Sequence, residues 1–419
     1  MTQELAIDGG SPAVTVSLPN VSSSAGRTFG VEEETLVLEA LRSGCLSRNG
    51  GTMVKRFERD FADALGARFA VACSSGTSCV HLAIAALDLE PGDEVIVPPV
   101  TDIGSILPVL WQNAIPVFAD LDPRTMVLDS QAVERCITPR TRAVIAVHLA
   151  GMPCPLRELQ AICRAHNIVL IEDCSQAYWA EYHGSLVGSI GDMACFSLQQ
   201  SKHMTCGEGG IMITSNEELA ERALLFSDKA WPRDTASLGS CRFLFLSQNY
   251  RMSELAGAVA LAQLQKVAET VERRRIRAAQ LTHMLSDIEG VDVPFTPEGL
   301  VPSYWLYMLQ INDSAGVSAE EFGETLTAEG VPAWVRYIID PLYLSPIFTG
   351  PETYGQSGYP FSTFPHQRFE RGLCPNAEAA LSRTIAIHWN ENYTADHVRQ
   401  IGDAIRKVAR HFITAPAHL

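Results

Sequence analysis

The sequence predicts an α/β protein in which a mostly parallel central sheet is sandwiched by helices and followed by a smaller C-terminal α+β domain. Three observations carry that expectation. The chain has 419 residues, too many for one small core, and its 47% hydrophobic and 19% charged content is that of a globular protein with a well-buried interior. From about residue 55 to 215, helix-like and strand-like segments alternate. The strand-like segments are near-continuous apolar runs rich in Val and Ile, as expected of strands covered by helices on both faces.

In chain order, the helix Met53–Leu65 leads to the strand Phe69–Ser74, and Thr77–Leu87 leads to Glu94–Pro98. The helix Gly104–Asn113 precedes the strand Ile115–Ala119, Ser130–Cys136 precedes Arg142–Leu149, and Pro155–His166 feeds Asn167–Glu172. After Asp192 the rhythm changes: Met193–Leu198 and Gly210–Thr214 read as strands enclosing a polar loop. A long helical pattern from Ser253 to Ile288 carries the chain out of a large domain. We place that domain, with an N-terminal arm, at 1–270 and a small domain at 271–419. The stretch Thr349–Phe364, rich in Gly, Pro, Ser and Tyr, reads as a loop. There is no internal repeat and no low-complexity segment.

The net charge of −16 argues against a nucleic-acid or anionic-membrane partner. Eleven scattered cysteines without a CxxC pair predict a reducing cytoplasm and neither a disulfide framework nor a metal site. The N-terminus lacks the build of a signal peptide, and no run of about 18 apolar residues is present to span a bilayer.

The chemistry is concentrated in a few loops. Lys202 lies in Ser197-Leu198-Gln199-Gln200-Ser201-Lys202-His203-Met204-Thr205-Cys206-Gly207-Glu208-Gly209-Gly210, between two apolar runs. A lysine enclosed at a strand end has its pKa lowered by desolvation, which suits Schiff-base chemistry, although most lysines simply face solvent. Asp173 ends the run Ile168-Val169-Leu170-Ile171-Glu172-Asp173. It can cap a helix, but ligands of open α/β sheets bind beyond the carboxyl ends of strands, where this acid sits. The pair suggests pyridoxal phosphate, with Asp173 facing the pyridinium nitrogen. Gln176 is placed to reach the ring's 3-oxygen, or is a polar residue in a first helical turn. Ser75-Gly76-Thr77 opens a helix after a strand and can cradle a phosphate with backbone N–H groups; Ser197 can add a hydroxyl. Asn249 precedes the long helix and can cap it. Arg336 and Tyr337 are candidates for a substrate carboxylate, against the default of a surface ion pair. His203 is a candidate base, although adjacent residues of an extended loop point apart.

As an ordered series these segments resemble the DegT/DnrJ/EryC1/StrS family of sugar aminotransferases. The series runs from Leu5-Ala6-Ile7-Asp8-Gly9-Gly10 through Ser74–Thr77, Pro116–Asp120, Glu172–Ala177, Gly188–Asp192 with Ser197, and Lys202 with Thr205–Gly210, to Asn249–Glu254. The resemblance implies the type I, aspartate-aminotransferase-like fold of pyridoxal-phosphate-dependent transferases. It implies that Lys202 binds the cofactor covalently and shuttles the proton, and that Asp173 pairs with the ring nitrogen and Gln176 with the 3-oxygen. Gly76, Thr77 and Ser197 would hold the phosphate. Asn249 would reach a neighbouring subunit's phosphate, so a homodimer with shared sites is implied.

Gln199-Gln200-Ser201-Lys202 is similar to the branch that aminates keto-cyclitols such as scyllo-inosose with L-glutamine, in aminoglycoside pathways. The expected activity is therefore transfer of an amino group from L-glutamine or L-glutamate to a keto-cyclitol or keto-sugar. The rival is a nucleotide-diphosphate 3- or 4-keto-sugar aminotransferase. A sugar dehydratase of the same fold is opposed by Lys202, and a non-catalytic regulator by the lack of a DNA-binding appendage. Two departures bear on the substrate: Asp102 stands where many members place an aromatic ring, and Tyr178-Trp179 replaces His-Gly, which would narrow the pocket.

Overall fold

The computed structural model describes residues 4–233 and 242–414. Its strands in chain order are β1 (Phe69–Cys73), β2 (Glu94–Val97), β3 (Ile115–Phe118), β4 (Thr141–Val147), β5 (Val169–Asp173), β6 (Glu181–Tyr182) and β7 (Ser185–Leu186). They continue with β8 (Met193–Ser197), β9 (Gly210–Thr214), β10 (Val291–Asp292), β11 (Leu300–Val301), β12 (Leu306–Ile311), β13 (Ala333–Val335) and β14 (Thr384–His388). Seven form one sheet in the order β1-β9-β8-β5-β4-β2-β3. The β2–β3, β2–β4, β4–β5 and β5–β8 pairs are parallel, and β9 runs against both β1 and β8. β2, β3, β8 and β9 are buried at every residue, which explains their uninterrupted apolar character.

The β8–β9 connection is the Lys202 loop, so the antiparallel turn delivers that loop to the carboxyl end of the parallel strands. Val147, Asp173 and Cys195 lie side by side across β4, β5 and β8, with Ser197 ending β8 just beyond. The same end carries Ser75, at the start of the helix Gly76–Ala86.

A four-stranded antiparallel sheet, β10-β12-β14-β13, follows, and a three-stranded β11-β6-β7 ribbon lies apart from both. A second hydrophobic cluster surrounds the four-stranded sheet and the helices Val267–Leu285, Ala319–Ala328 and Ala395–Thr414. Leu5 and Val14 also belong to it, because Glu329 accepts hydrogen bonds from the backbone N–H groups of Ala6 and Ala13 (both 2.8 Å).

Two predicted helices differ in extent. The segment expected as a helix over Gly104–Asn113 is a 3₁₀ turn, Ile103–Ser105, and then a short helix Leu107–Trp111 that restarts with Pro108 in its first turn. The pattern from Ser253 to Ile288 is two helices, Glu254–Leu264 and Val267–Leu285. At the break, Gln263 and Lys266 both bond Glu33, which ties the junction to the helix Val31–Arg42.

Candidate active site

Beyond the carboxyl ends of β4, β5 and β8 lies a cavity of about 400 Å³. Ser75, Gly76, Thr77, Asp102, Asp173, Gln176, Ser197 and Lys202 all line it. Segments more than a hundred residues apart therefore converge on one space.

Lys202 is 8% exposed, and its backbone N–H closes a turn on Gln199 O (2.9 Å). Burial brings its ammonium down to about 8, against the opposing pull of Asp173 and Asp102. Its Nζ lies 4.1 Å from the centroid of the Trp305 ring. Asp173 is fixed on both oxygens: Oδ2 accepts from Ser105 Oγ (2.6 Å) and Oδ1 from Ser175 N (3.0 Å). Ser105 in turn meets Thr101 (3.0 Å).

The Ser75–Thr77 turn has the shape of an anion cradle. The Ser75 hydroxyl caps the helix by accepting from Ser78 N (3.0 Å), which leaves the Gly76 and Thr77 N–H groups in the first turn. A methyl on Gly76 would come within 2.6 Å of Ser197 Cβ, so glycine lets the turn lie flat against the end of β8. Gln176 lines the cavity, but its amide is engaged: Oε1 accepts from Ala150 N (2.7 Å) and Nε2 donates to the Tyr337 hydroxyl (2.9 Å). Tyr337 thus stands at this wall, and burial pushes its hydroxyl pKa up. Asp102 is exposed to the cavity, and its Oδ1 accepts from Gly104 N (2.8 Å).

Tyr178, expected to narrow the pocket, His203, a candidate base, and Arg336, a candidate for a substrate carboxylate, do not line the cavity. Tyr178 is fully buried, donates its hydroxyl to Ser197 O (2.9 Å) and packs against Phe196 and Phe61. With Trp179 against the same Phe61, these rings support the floor of the site and do not narrow it. His203 turns away from Lys202 to bond Ser303 O (3.0 Å). Burial, with Arg274, Lys202 and Arg27 nearby, holds its pKa far below the ordinary histidine range, so the neutral ring donates from Nε2. Arg336 pairs with Glu320 (3.6 Å), the surface ion pair that is the default for a lone arginine. Asn249 is exposed, bridges by its backbone to Asp228, and does not line this cavity.

Sequence reasoning missed one wall entirely. Trp305, Trp334, His388 and Trp389 come from the four-stranded sheet and the residues adjoining it. Trp334 stands edge-on to His388 with ring centroids 4.0 Å apart. No local spacing marks these residues, because the chain returns to the site only after a hundred residues. Ser105 carries no signal either; its partner is 68 positions away.

A buried His148–Glu172–Cys174 group looks like a metal set by distance alone. Two of the three are already engaged: His148 Nδ1 accepts from Cys154 N (2.9 Å), and Glu172 accepts from His148 Nε2 and from Gly188, Ile190 and Gly191 N–H. The cluster braces the β5 end.

A desolvated amine, a fixed carboxylate and a helix N-terminus with small residues around one cavity fit pyridoxal phosphate by the chemistry of the donor set. That cofactor, when bound, supplies an electron-poor ring that draws charge from the α-carbon of an amino acid. Fold and site thus define a pyridoxal-phosphate-dependent aminotransferase of the type I fold. Residues 28–406 match the model of the DegT/DnrJ/EryC1/StrS aminotransferase family, and the chain belongs to that family. It is 33% identical to the L-glutamine:2-deoxy-scyllo-inosose aminotransferase of Streptomyces paromomycinus, over 98% of this chain and 99% of that one. It is 34% identical to the GDP-perosamine synthase of Caulobacter vibrioides, over 78% and 87%. The crystal structure of 3-amino-5-hydroxybenzoic acid synthase superposes with a TM-score of 0.82 at 27% identity, covering 96% of this chain and all of the other.

Proposed function

We propose that this enzyme moves an amino group from L-glutamine or L-glutamate to the ketone of a cyclitol. Lys202 is the group that binds the cofactor and carries the proton at Nζ; Asp173, held by Ser105 and Ser175, faces the ring nitrogen. Gly76, Thr77 and Ser197 hold the phosphate, and Gln176 and Tyr337 form the 3-oxygen side. The observation that favours a cyclitol is the cavity's charge. With Asp173 and Lys202 taken by the cofactor, its described lining offers an acceptor the carboxylates Asp102 and Glu208 and no arginine to meet a diphosphate. Its tryptophan wall suits the apolar face of a polyhydroxylated ring. The second reading, a nucleotide-sugar acceptor, is favoured by the likeness to GDP-perosamine synthase.

We further propose a homodimer with shared sites, 1–270 forming the large domain and 271–419 the small one, working in the cytoplasm on an antibiotic or amino-sugar pathway. No helix among the described residues is long and apolar enough to cross a membrane. Phe29, Val31, Leu38, Leu41 and Leu46 expose an apolar run along one segment, a surface that a second copy would cover. The test of the acceptor is competition between a keto-cyclitol and 3- or 4-keto nucleotide sugars on amine-loaded enzyme. Turnover of the nucleotide sugars alone overturns the cyclitol assignment.

A further inference from the structure

The floor of the site contains three buried charges that take no direct part in the cavity. Arg274 is fully buried and grips Glu391 Oε2 through Nε (3.0 Å) and Nη2 (2.7 Å). Glu391 Oε1 lies 3.6 Å from Arg27 Nη1. Arg27 is 7% exposed, and burial brings its guanidinium down to about 10, with Glu391 opposing that shift and Arg274 adding to it. A buried triad is weak evidence for stability, because desolvating each ion costs several kcal/mol.

The hydrogen bonds they make show where their effect falls. Arg27 donates to Lys202 O (2.9 Å) and to Gln200 O. The carbonyl between them, Ser201 O, accepts from Trp305 Nε1 (2.9 Å). Arg274 Nη1 in turn holds the Tyr304 and Trp305 carbonyls (3.2 and 3.3 Å). Three consecutive carbonyls of the lysine loop are thus tied to the segment carrying the ring under Lys202 Nζ: Ser201 O directly by Trp305, and Gln200 O and Lys202 O through Arg27, the Glu391 carboxylate and Arg274. The segment bearing Arg27 is itself fastened, by Asn390 Nδ2 to Gly26 O (3.2 Å), Asn392 Nδ2 to Ala25 O (2.9 Å) and Gln200 Nε2 to Val21 O (2.7 Å).

We infer that Arg27, Glu391 and Arg274 are positioning residues for the transamination: they clamp the Lys202 loop against Trp305, so that the amine swings from a fixed backbone. Lys202 must serve two positions, at the cofactor and at the substrate α-carbon. A long side chain reaches both reproducibly only if its own Cα does not drift. Trp305 restricts the resting direction of Nζ, and the clamp fixes loop and ring relative to each other. Burial first, and then the positive charge of Arg274 and Arg27, keeps the adjacent His203 neutral.

The test uses the full-length, cofactor-loaded enzyme. Arg27→Lys keeps the charge but cannot span both carbonyls with a planar fork. It is expected to lower kcat on the order of 10²-fold, the cost of a misplaced reacting group. KM for the amino donor should change little, and the pH midpoint of the lysine-bound cofactor's absorbance should move. Trp305→Phe removes the bond to Ser201 O and part of the ring area lining the cavity while keeping a ring beneath Nζ, and should shift both readouts in the same direction, less than additively with Arg27→Lys. It also serves if Arg27→Lys fails to fold. Wild-type kcat and midpoint in fully loaded Trp305→Phe overturn the inference. So does a loss of activity that follows cofactor content or melting temperature alone, with the midpoint unmoved.

Discussion

Lys202 has a pKa near 8 because the folded chain desolvates it before any cofactor is bound. Its folded pKa is depressed below the unfolded value, so the unfolded state binds more protons between about pH 8 and 10.5, and this group makes stability rise with pH there. Below that window the buried ammonium is a full cost, on the order of a few kcal/mol. Cofactor-free Lys202→Met should therefore be more stable than wild type at pH 7, with the gap closing as pH approaches 10. Denaturant titrations of both proteins across that range check the sign; a gap that widens would contradict it. Lys202→Ala should lose the absorbance of lysine-bound cofactor and about 10²–10⁴-fold in turnover, the usual worth of a positioned proton-transfer group. Ser105→Ala removes a 2.6 Å donor from Asp173. A hydrogen bond to a charged group is worth about 1.5–3 kcal/mol, so kcat should fall roughly ten- to a hundredfold while the chain stays folded. Lys202 and Asp173 could be read from the sequence because each ends an apolar run. Ser105 could not, since a serine in a short 3₁₀ turn looks the same whether or not a carboxylate from another strand meets it. His203 and Tyr178 misled for the same reason: adjacency in sequence says nothing about direction, and both point into the core.

Among the elements, the alternation of helices with largely buried strands made the principal sheet legible, and its carboxyl-end rule located the site. The antiparallel β9 follows from the loop that it must return, a consequence visible only once β8 and β9 pair. Helix extent was less legible where side chains from elsewhere decide it, as with Glu33 at the break before Val267. The turn opening Gly76–Ala86 admits a sharp expectation. A methyl at Gly76 meets Ser197 Cβ, so Gly76→Ala should push the helix start off β8 and weaken cofactor retention, read as faster loss of pyridoxal phosphate on dialysis. Unchanged retention would show that the turn does not cradle the phosphate. The tryptophan wall was illegible because β12, β13 and β14 reach the cavity from the other sheet.

For the whole molecule, the proposed homodimer completes each site with a residue from the other copy. Asn249 does not line its own cavity, so in a dimer with shared sites Lys202→Ala and Asn249→Ala should each be impaired as pure proteins and complement in mixed dimers. A random one-to-one mixture of two-fold dimers would regain about a quarter of wild-type activity, and no recovery would place Asn249 outside the site. The proposed acceptor faces Asp102, Glu208 and a wall of indoles in the chain's own cavity. The most direct measurement is to load the enzyme with L-glutamine until the absorbance of lysine-bound cofactor disappears, and then to add acceptors one at a time. Scyllo-inosose or its 2-deoxy form should restore that absorbance and leave as the amine. Restoration by 3- or 4-keto nucleotide sugars, with the keto-cyclitols inert, would contradict it.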